Sequence, residues 1–249
     1  SAEVESKHGA FDAGRYNKRL IDKTHLADID NIASKARTYH YSRTLPWTDK
    51  GQRLLPSALF FGYKTEINRF KQEYEQAVSA FVASYPQLIQ DAQHRLGTMY
   101  RPSDYPSAQE LQTLFKIETE IMPVPDAQDF RVDLAASDDA DIKRQLTSVL
   151  EHRQADTVKD CWNRLREVVQ RISDQCNSPT GRIYDSLMDS ATDLVSVLKD
   201  LNITGDAAIE KCRTELEALI VPTSTLRNSK HTRRSTAAAA DAILAKIKE

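Results

Sequence analysis

Three acid–histidine pairs stand at a spacing that lets one helix face present both groups to a metal: Glu5-x-x-His8, Asp22-x-x-His25 and Asp91-x-x-His94. The first lies in a polar terminus and the other two on separate segments, while His94 falls off the apolar stripe where a buried site would need its ligands. No metal site is expected from them. Cys161 and His152 are the nearest approach to a nucleophile and base, yet both sit in a helical pattern and nothing nearby obviously lowers the thiol pKa. Cys161, Cys176 and Cys212 form no Cys-x-x-Cys pair and read as buried apolar filler in a reducing compartment, without a disulfide framework. The seven glycines are scattered too widely for a phosphate loop, and no His-Glu-x-x-His, Gly-x-Ser-x-Gly or Walker pattern occurs. The sequence thus offers no catalytic residue, metal ligand or cofactor site, and a non-enzyme is expected.

Binding chemistry is better represented. The chain is nearly neutral, with 34 basic and 36 acidic residues, so recognition of an anionic partner needs a local patch. One segment qualifies: from Pro222 onward six basic residues face two acids, and Arg227, Lys230, Arg233 and Arg234 are candidate phosphate contacts. The competing reading is a solvated linker before a terminal helix. Phe60, Tyr63, Phe70, Tyr74, Phe81 and Tyr85 could be a stacking platform for single strands, but their spacing favours core packing.

The elements follow from periodicity. From Phe60 to Met99 apolar residues recur at alternating steps of three and four, through Ile67, Ala77, Leu88, Ala92 and Leu96, which is a heptad seam on a helix roughly 60 Å long. Pro86 should kink or split it after Tyr85, and Ser57 could cap it. A first helix is expected over 17–41, ended by Pro46. Thr44 to Gly51 is turn chemistry in which Pro46, Asp49 and Gly51 bend the chain and Trp47 anchors it. Asp104-Tyr105-Pro106-Ser107 should start a short helix through about Glu120. Asp129 to Leu134, including Phe130 and Arg131, alternates polar and apolar and is the best strand candidate, with Arg53-Leu54-Leu55 its nearest partner. Ser137-Asp138-Asp139 should cap a second long helix ending near Cys176, with a seam over Ile142, Leu146, Val149, Ala155, Val158, Trp162, Leu165, Val169 and Ile172. Further helices are read through Ile183 to Leu201 and Ile209 to Leu219, and a terminal one over 237–247 that should dock on the body or on a neighbouring subunit. No apolar run approaches the eighteen or so residues of a membrane span, and no signal peptide is evident.

The block Arg43-Thr44-x-Pro46-Trp47-x-Asp49-x-Gly51-x-Arg53-x-Leu55-Pro56 resembles a phage and bacterial family of the "domain of unknown function 3150" type. Phe70 and Tyr74, Leu96-Gly97, Asp104-Tyr105-Pro106, Phe115, Pro123-Val124-Pro125 and Asp129-Phe130-Arg131-Val132 extend the likeness over about residues 24–175. The resemblance implies a helical fold without catalytic residues. It also implies a place beside ring-forming ATPases and von Willebrand A-type proteins, hence a partner in a larger assembly.

The expected fold is mainly α: an elongated antiparallel helical hairpin or coiled coil, pairing the two long seams, with a small mixed α/β tip and additional C-terminal helices. Residues 1–15 form a mobile N-terminus, 16–221 the helical domain with its tip at 101–137 and part of 44–56, and 222–249 a basic linker and terminal helix. The expected function is a phage-encoded scaffold or adaptor in the host cytoplasm. It would bind a protein partner, whether a second copy, a ring ATPase or a host protein, and no membrane. A nucleic-acid accessory protein and an inhibitor of a host defence are the alternatives.

Overall fold

The computed structural model describes residues 17–124, 136–178 and 181–247, with the side chains of the helix that begins at 136 described from residue 144. The chain is mainly α, with eight helices and one two-stranded sheet among the described residues: α1 (Ala27–Arg43), β1 (Leu45–Pro46), β2 (Arg53–Leu54), α2 (Phe60–Leu96), α3 (Ala108–Leu114), α4 (Ala136–Asn177), α5 (Ser186–Leu201), α6 (Ala207–Ala218), α7 (Thr223–Asn228) and α8 (Lys230–Leu244). It divides into two compact units. One holds residues up to Arg37 with Glu66–Glu120, the other Thr38–Thr65 with residues from Ile121.

In the first unit the aromatic seam is core. Tyr74, Val78, Phe81, Tyr85 and Leu88 of α2 bury themselves with Ile29 of α1 and Leu111 of α3, flanked by Ile21, Leu26, Ile32, Tyr105, Phe115 and Ile117. This consumes three of the six rings that could have formed a stacking platform, and Tyr63 and Phe70 are buried as well. At the far end of the unit Arg95 donates to the carbonyls of Arg19 and Leu20, both at 2.9 Å. In the second unit Tyr39 and His40 of α1 meet Tyr63 at the start of α2. Within the first unit Arg95 reaches residues 19–20 while Asp30 lies near Tyr74, so the two segments run antiparallel there as a helical hairpin.

Its partners differ from the expected ones. The spacing pairs the seam of α2 with the helix ending at Cys176; in the structure the two long seams enter different cores. In α4 the buried stripe is Thr157, Cys161, Leu165, Val169, Ile172 and Cys176, and α4 packs on α8, α5, α6 and β1. Heptad spacing marks which residues of a helix are buried; it carries no address for the helix that covers them. Ala237 and Ala240 supply the small side chains that let α8 approach α4, and both are buried with Ile243 and Ile247. The terminal helix thus docks on its own chain. Leu165, Leu187, Leu198, Leu201, Leu216 and Leu226 are wholly excluded from water, each contributing roughly 1.5–3 kcal/mol.

Local differences have local causes. The first helix begins at Ala27, because Asp22 caps a 3₁₀ turn at Lys23–Leu26 by accepting from the Thr24 N–H at 3.0 Å. Ser57 lies inside a 3₁₀ turn and caps nothing. The long helix runs unbroken through Pro86, so no split occurs there. α3 starts as expected, on a capping box between Ser107 and Glu110, but stops at Leu114. Phe115 and Ile117, two residues apart, both turn into the first core, a spacing that suits non-helical backbone. Arg53–Leu54, the partner expected for the 129–134 strand candidate, pairs antiparallel with Leu45–Pro46. That strand candidate lies outside the described residues, as do residues 1–15 and the side chains of Ser137, Asp138 and Asp139.

Candidate interaction surfaces

Pro46 belongs to β1, and the hairpin closes with Trp47 and Thr48 N–H groups on the Gln52 carbonyl, both at 3.2 Å. Gly51 has φ +88°, a left-handed conformation that L side chains rarely adopt, and Asp49 is exposed beside it. Trp47 is half-buried beneath the Arg153 guanidinium, 5.5 Å from the ring centroid. Asp104 pairs with Lys18, the Tyr105 hydroxyl donates to the Leu20 carbonyl at 3.1 Å, and Pro106 is half-buried. Phe130 and Arg131 lie outside the described residues.

Beside this hairpin stands a junction that sequence reasoning missed. The last carbonyls of α1 lack helical partners and carry the negative end of the helix dipole. Arg164 of α4 donates to the carbonyls of Ser42, Tyr41 and Thr44 at 3.0, 2.9 and 2.7 Å while Asp160 holds its Nε at 2.7 Å. Arg53 donates to the same Thr44 carbonyl at 2.8 Å and to the buried Thr44 hydroxyl at 2.7 Å, and that hydroxyl donates to the His40 carbonyl at 2.6 Å. Arg43 grips Asp193 of α5 in a bidentate pair. Burial, then Arg164, pulls Arg53 below the usual guanidinium range against the pull of Asp160, while the Asp193 hydrogen bond raises Arg43. The signal for this junction was scattered over Arg43, Arg53 and Arg164, residues that only folding brings together.

The basic C-terminal residues split into two kinds. Arg233 is half-buried and donates to the carbonyls of Gln175, Ser178 and Gly181 at 3.1, 3.1 and 2.9 Å, closing the end of α4. Arg227 donates to the Ile183 carbonyl at 2.9 Å and to Asp185 at 2.7 Å. The Thr223 hydroxyl, and after it Arg227, holds the Asp185 carboxyl below the usual range. Lys230 and Arg234, one turn apart on α8, are exposed. The structure thus brings Arg227 and Arg233 together on one loop and leaves the other two pointing to solvent.

The cysteines have no reactive surroundings. Burial pushes the Cys161 thiol up to about 11 and raises Cys176 and Cys212, and all three are free and buried. Among the described residues no group of three His, Cys, Asp or Glu side chains is placed to hold a metal ion, and no helix is long and apolar enough to cross a membrane.

Exposed apolar side chains of the second unit include Phe61, Ile203 and two groups that lie close together in sequence. Ile121, Met122 and Val124 stand about half-exposed in a stretch without regular structure. On α4, Leu146 and Leu150 are half-buried and Val149 is 44% exposed, outside both apolar cores of the described residues. No family model, curated protein or solved structure matches the chain.

Proposed function

We propose that the chain is a phage-encoded, non-enzymatic adaptor that works by binding another protein. The carrying observation is the N-terminal part of α4. Its seam of Leu146, Val149 and Leu150 continues outward from the buried stripe that begins at Thr157, yet Val149 is exposed and the two leucines are only half-buried. A helix extended past its core is marginal alone and gains from a covering partner. The family resemblance supports the same reading through the assembly partners it implies. Light scattering of the purified chain and affinity capture from infected cells test it. Wild type should form a defined oligomer or retain a specific protein, and Val149→Glu should abolish that association without lowering the melting temperature. A strict monomer that captures nothing would sink the proposal.

A second reading, a nucleic-acid accessory protein, draws support from the exposure of Lys230 and Arg234. Replacing Arg227, Lys230, Arg233 and Arg234 together would also strip the loop carbonyls of their donors. The cleaner test is the Lys230→Ala/Arg234→Ala pair, which should lower both binding and its salt slope.

A further inference from the structure

An open cleft of about 570 Å³ in the second unit is lined by Gly181, Arg182, Ile183, Tyr184, Arg227 and Arg233. Two of its arginines form the frame. Arg233 holds the carbonyl of Gly181 and Arg227 that of Ile183, and between these clamps the burial alternates. Ile183 is 4% exposed and turns into the core, whereas Arg182 is exposed and Tyr184 is 54% exposed. The same clamps therefore put a guanidinium and an aromatic ring on the outward side of one loop.

Charge at the cleft is one-sided. Arg182, Arg227 and Arg233 line it, Lys230 and Arg234 follow on α8, and the adjoining carboxylate of Asp185 is already engaged by Thr223 and Arg227. An open, cationic cleft with an exposed ring suits a ligand that carries both phosphate and a flat π face. Unpaired bases offer that face, while the bases of a duplex are already stacked on one another. A phosphorylated peptide would satisfy the cations but not account for the ring.

We propose that this cleft binds single-stranded nucleic acid, with Tyr184 stacking on a base and Arg182, Lys230 and Arg234 contacting phosphates. The proposal rests on the second reading above and adds to it the site and the strandedness. Arg227 and Arg233 act as positioning residues that hold the loop.

Fluorescence anisotropy of the full chain with a labelled twelve-residue oligothymidylate tests it. Three phosphate contacts predict a roughly 20-fold loss of affinity between 50 and 200 mM salt. Tyr184→Ala should weaken binding roughly tenfold, Tyr184→Phe should bind as wild type does, and Arg182→Ala should flatten the salt dependence. Both side chains are exposed, so unchanged melting curves will separate lost contacts from lost fold. Absence of oligothymidylate binding overturns both this proposal and the second reading. Binding that is lost in Lys230→Ala/Arg234→Ala but unchanged in Arg182→Ala and Tyr184→Ala overturns the cleft alone. A duplex bound as tightly as the single strand, or a phosphopeptide bound in its place, also overturns the cleft.

Discussion

At the scale of single residues, a set of arginines donates to backbone carbonyls. Arg164 closes the end of α1, Arg233 the end of α4, and Arg95 the chain at residues 19–20. A planar guanidinium can reach two or three carbonyls at once, which lysine's single ammonium does less well. Arg164→Ala would leave the Tyr41 and Ser42 carbonyls without the donors seen here, and should cost about 2–4 kcal/mol in a urea titration, with Arg164→Lys recovering only part. His40 is the residue through which pH reaches this junction. Its Nδ1 lies 2.8 Å from the Tyr63 hydroxyl, and burial, followed by the charge of Arg53, holds its pKa below the usual imidazole value. The unfolded chain therefore takes up the proton first. Stability is complete above about pH 6.5 and is lost as the pH falls through the lower folded value. Melting curves from pH 7.5 to 5 should show this loss in wild type and a flatter profile in His40→Gln.

At the scale of elements, α2 shows how packing overrides local preference. Pro86 removes one backbone donor and crowds the preceding turn, yet the helix continues because Phe81, Tyr85, Leu88 and Ala92 on either side are buried. The proline itself is exposed, so replacing it loses little packing. Pro86→Ala should raise stability by about 1–3 kcal/mol, read as a higher denaturation midpoint. The α4–α5 turn shows the opposite limit, where backbone room decides. A Cβ at Gly181 would come within 2.7 Å of the Ser178 Cβ, on the loop whose carbonyls Arg233 binds, so this position requires glycine for space rather than for an unusual φ.

At the scale of the molecule, the C-terminal helix is part of the core and not an appendage to it. Ala237, Ala240, Ile243 and Ile247 lie in the same apolar cluster as Leu165, Val169 and Ile172. Ending the chain after Pro222 would expose that stripe of α4. The truncated protein should lose its cooperative melting transition and bind a hydrophobic dye, whereas removal of an independent tail would change neither. The apolar periodicity of residues 60–99, the C-terminal part of the 142–176 seam, the stops at Pro46 and after Asn177, and the helix start at Ser107 were legible in the chain, because each depends on neighbours within a few turns. The arginine junctions were not. Arg43, Arg53 and Arg164, or Arg227 and Arg233, look in the sequence like ordinary surface charges, and they acquire a role only when helix ends with unpaired carbonyls are carried to them. The same holds for the four candidate phosphate contacts, alike in composition yet divided by folding into two that hold a loop and two that face water. By itself the sequence determined that this chain is helical and which face of α2 is buried, because periodicity and burial are properties of a single helix. Tertiary structure alone decided which helices cover those faces and which cations remain outside, because both depend on contacts between residues far apart in the chain.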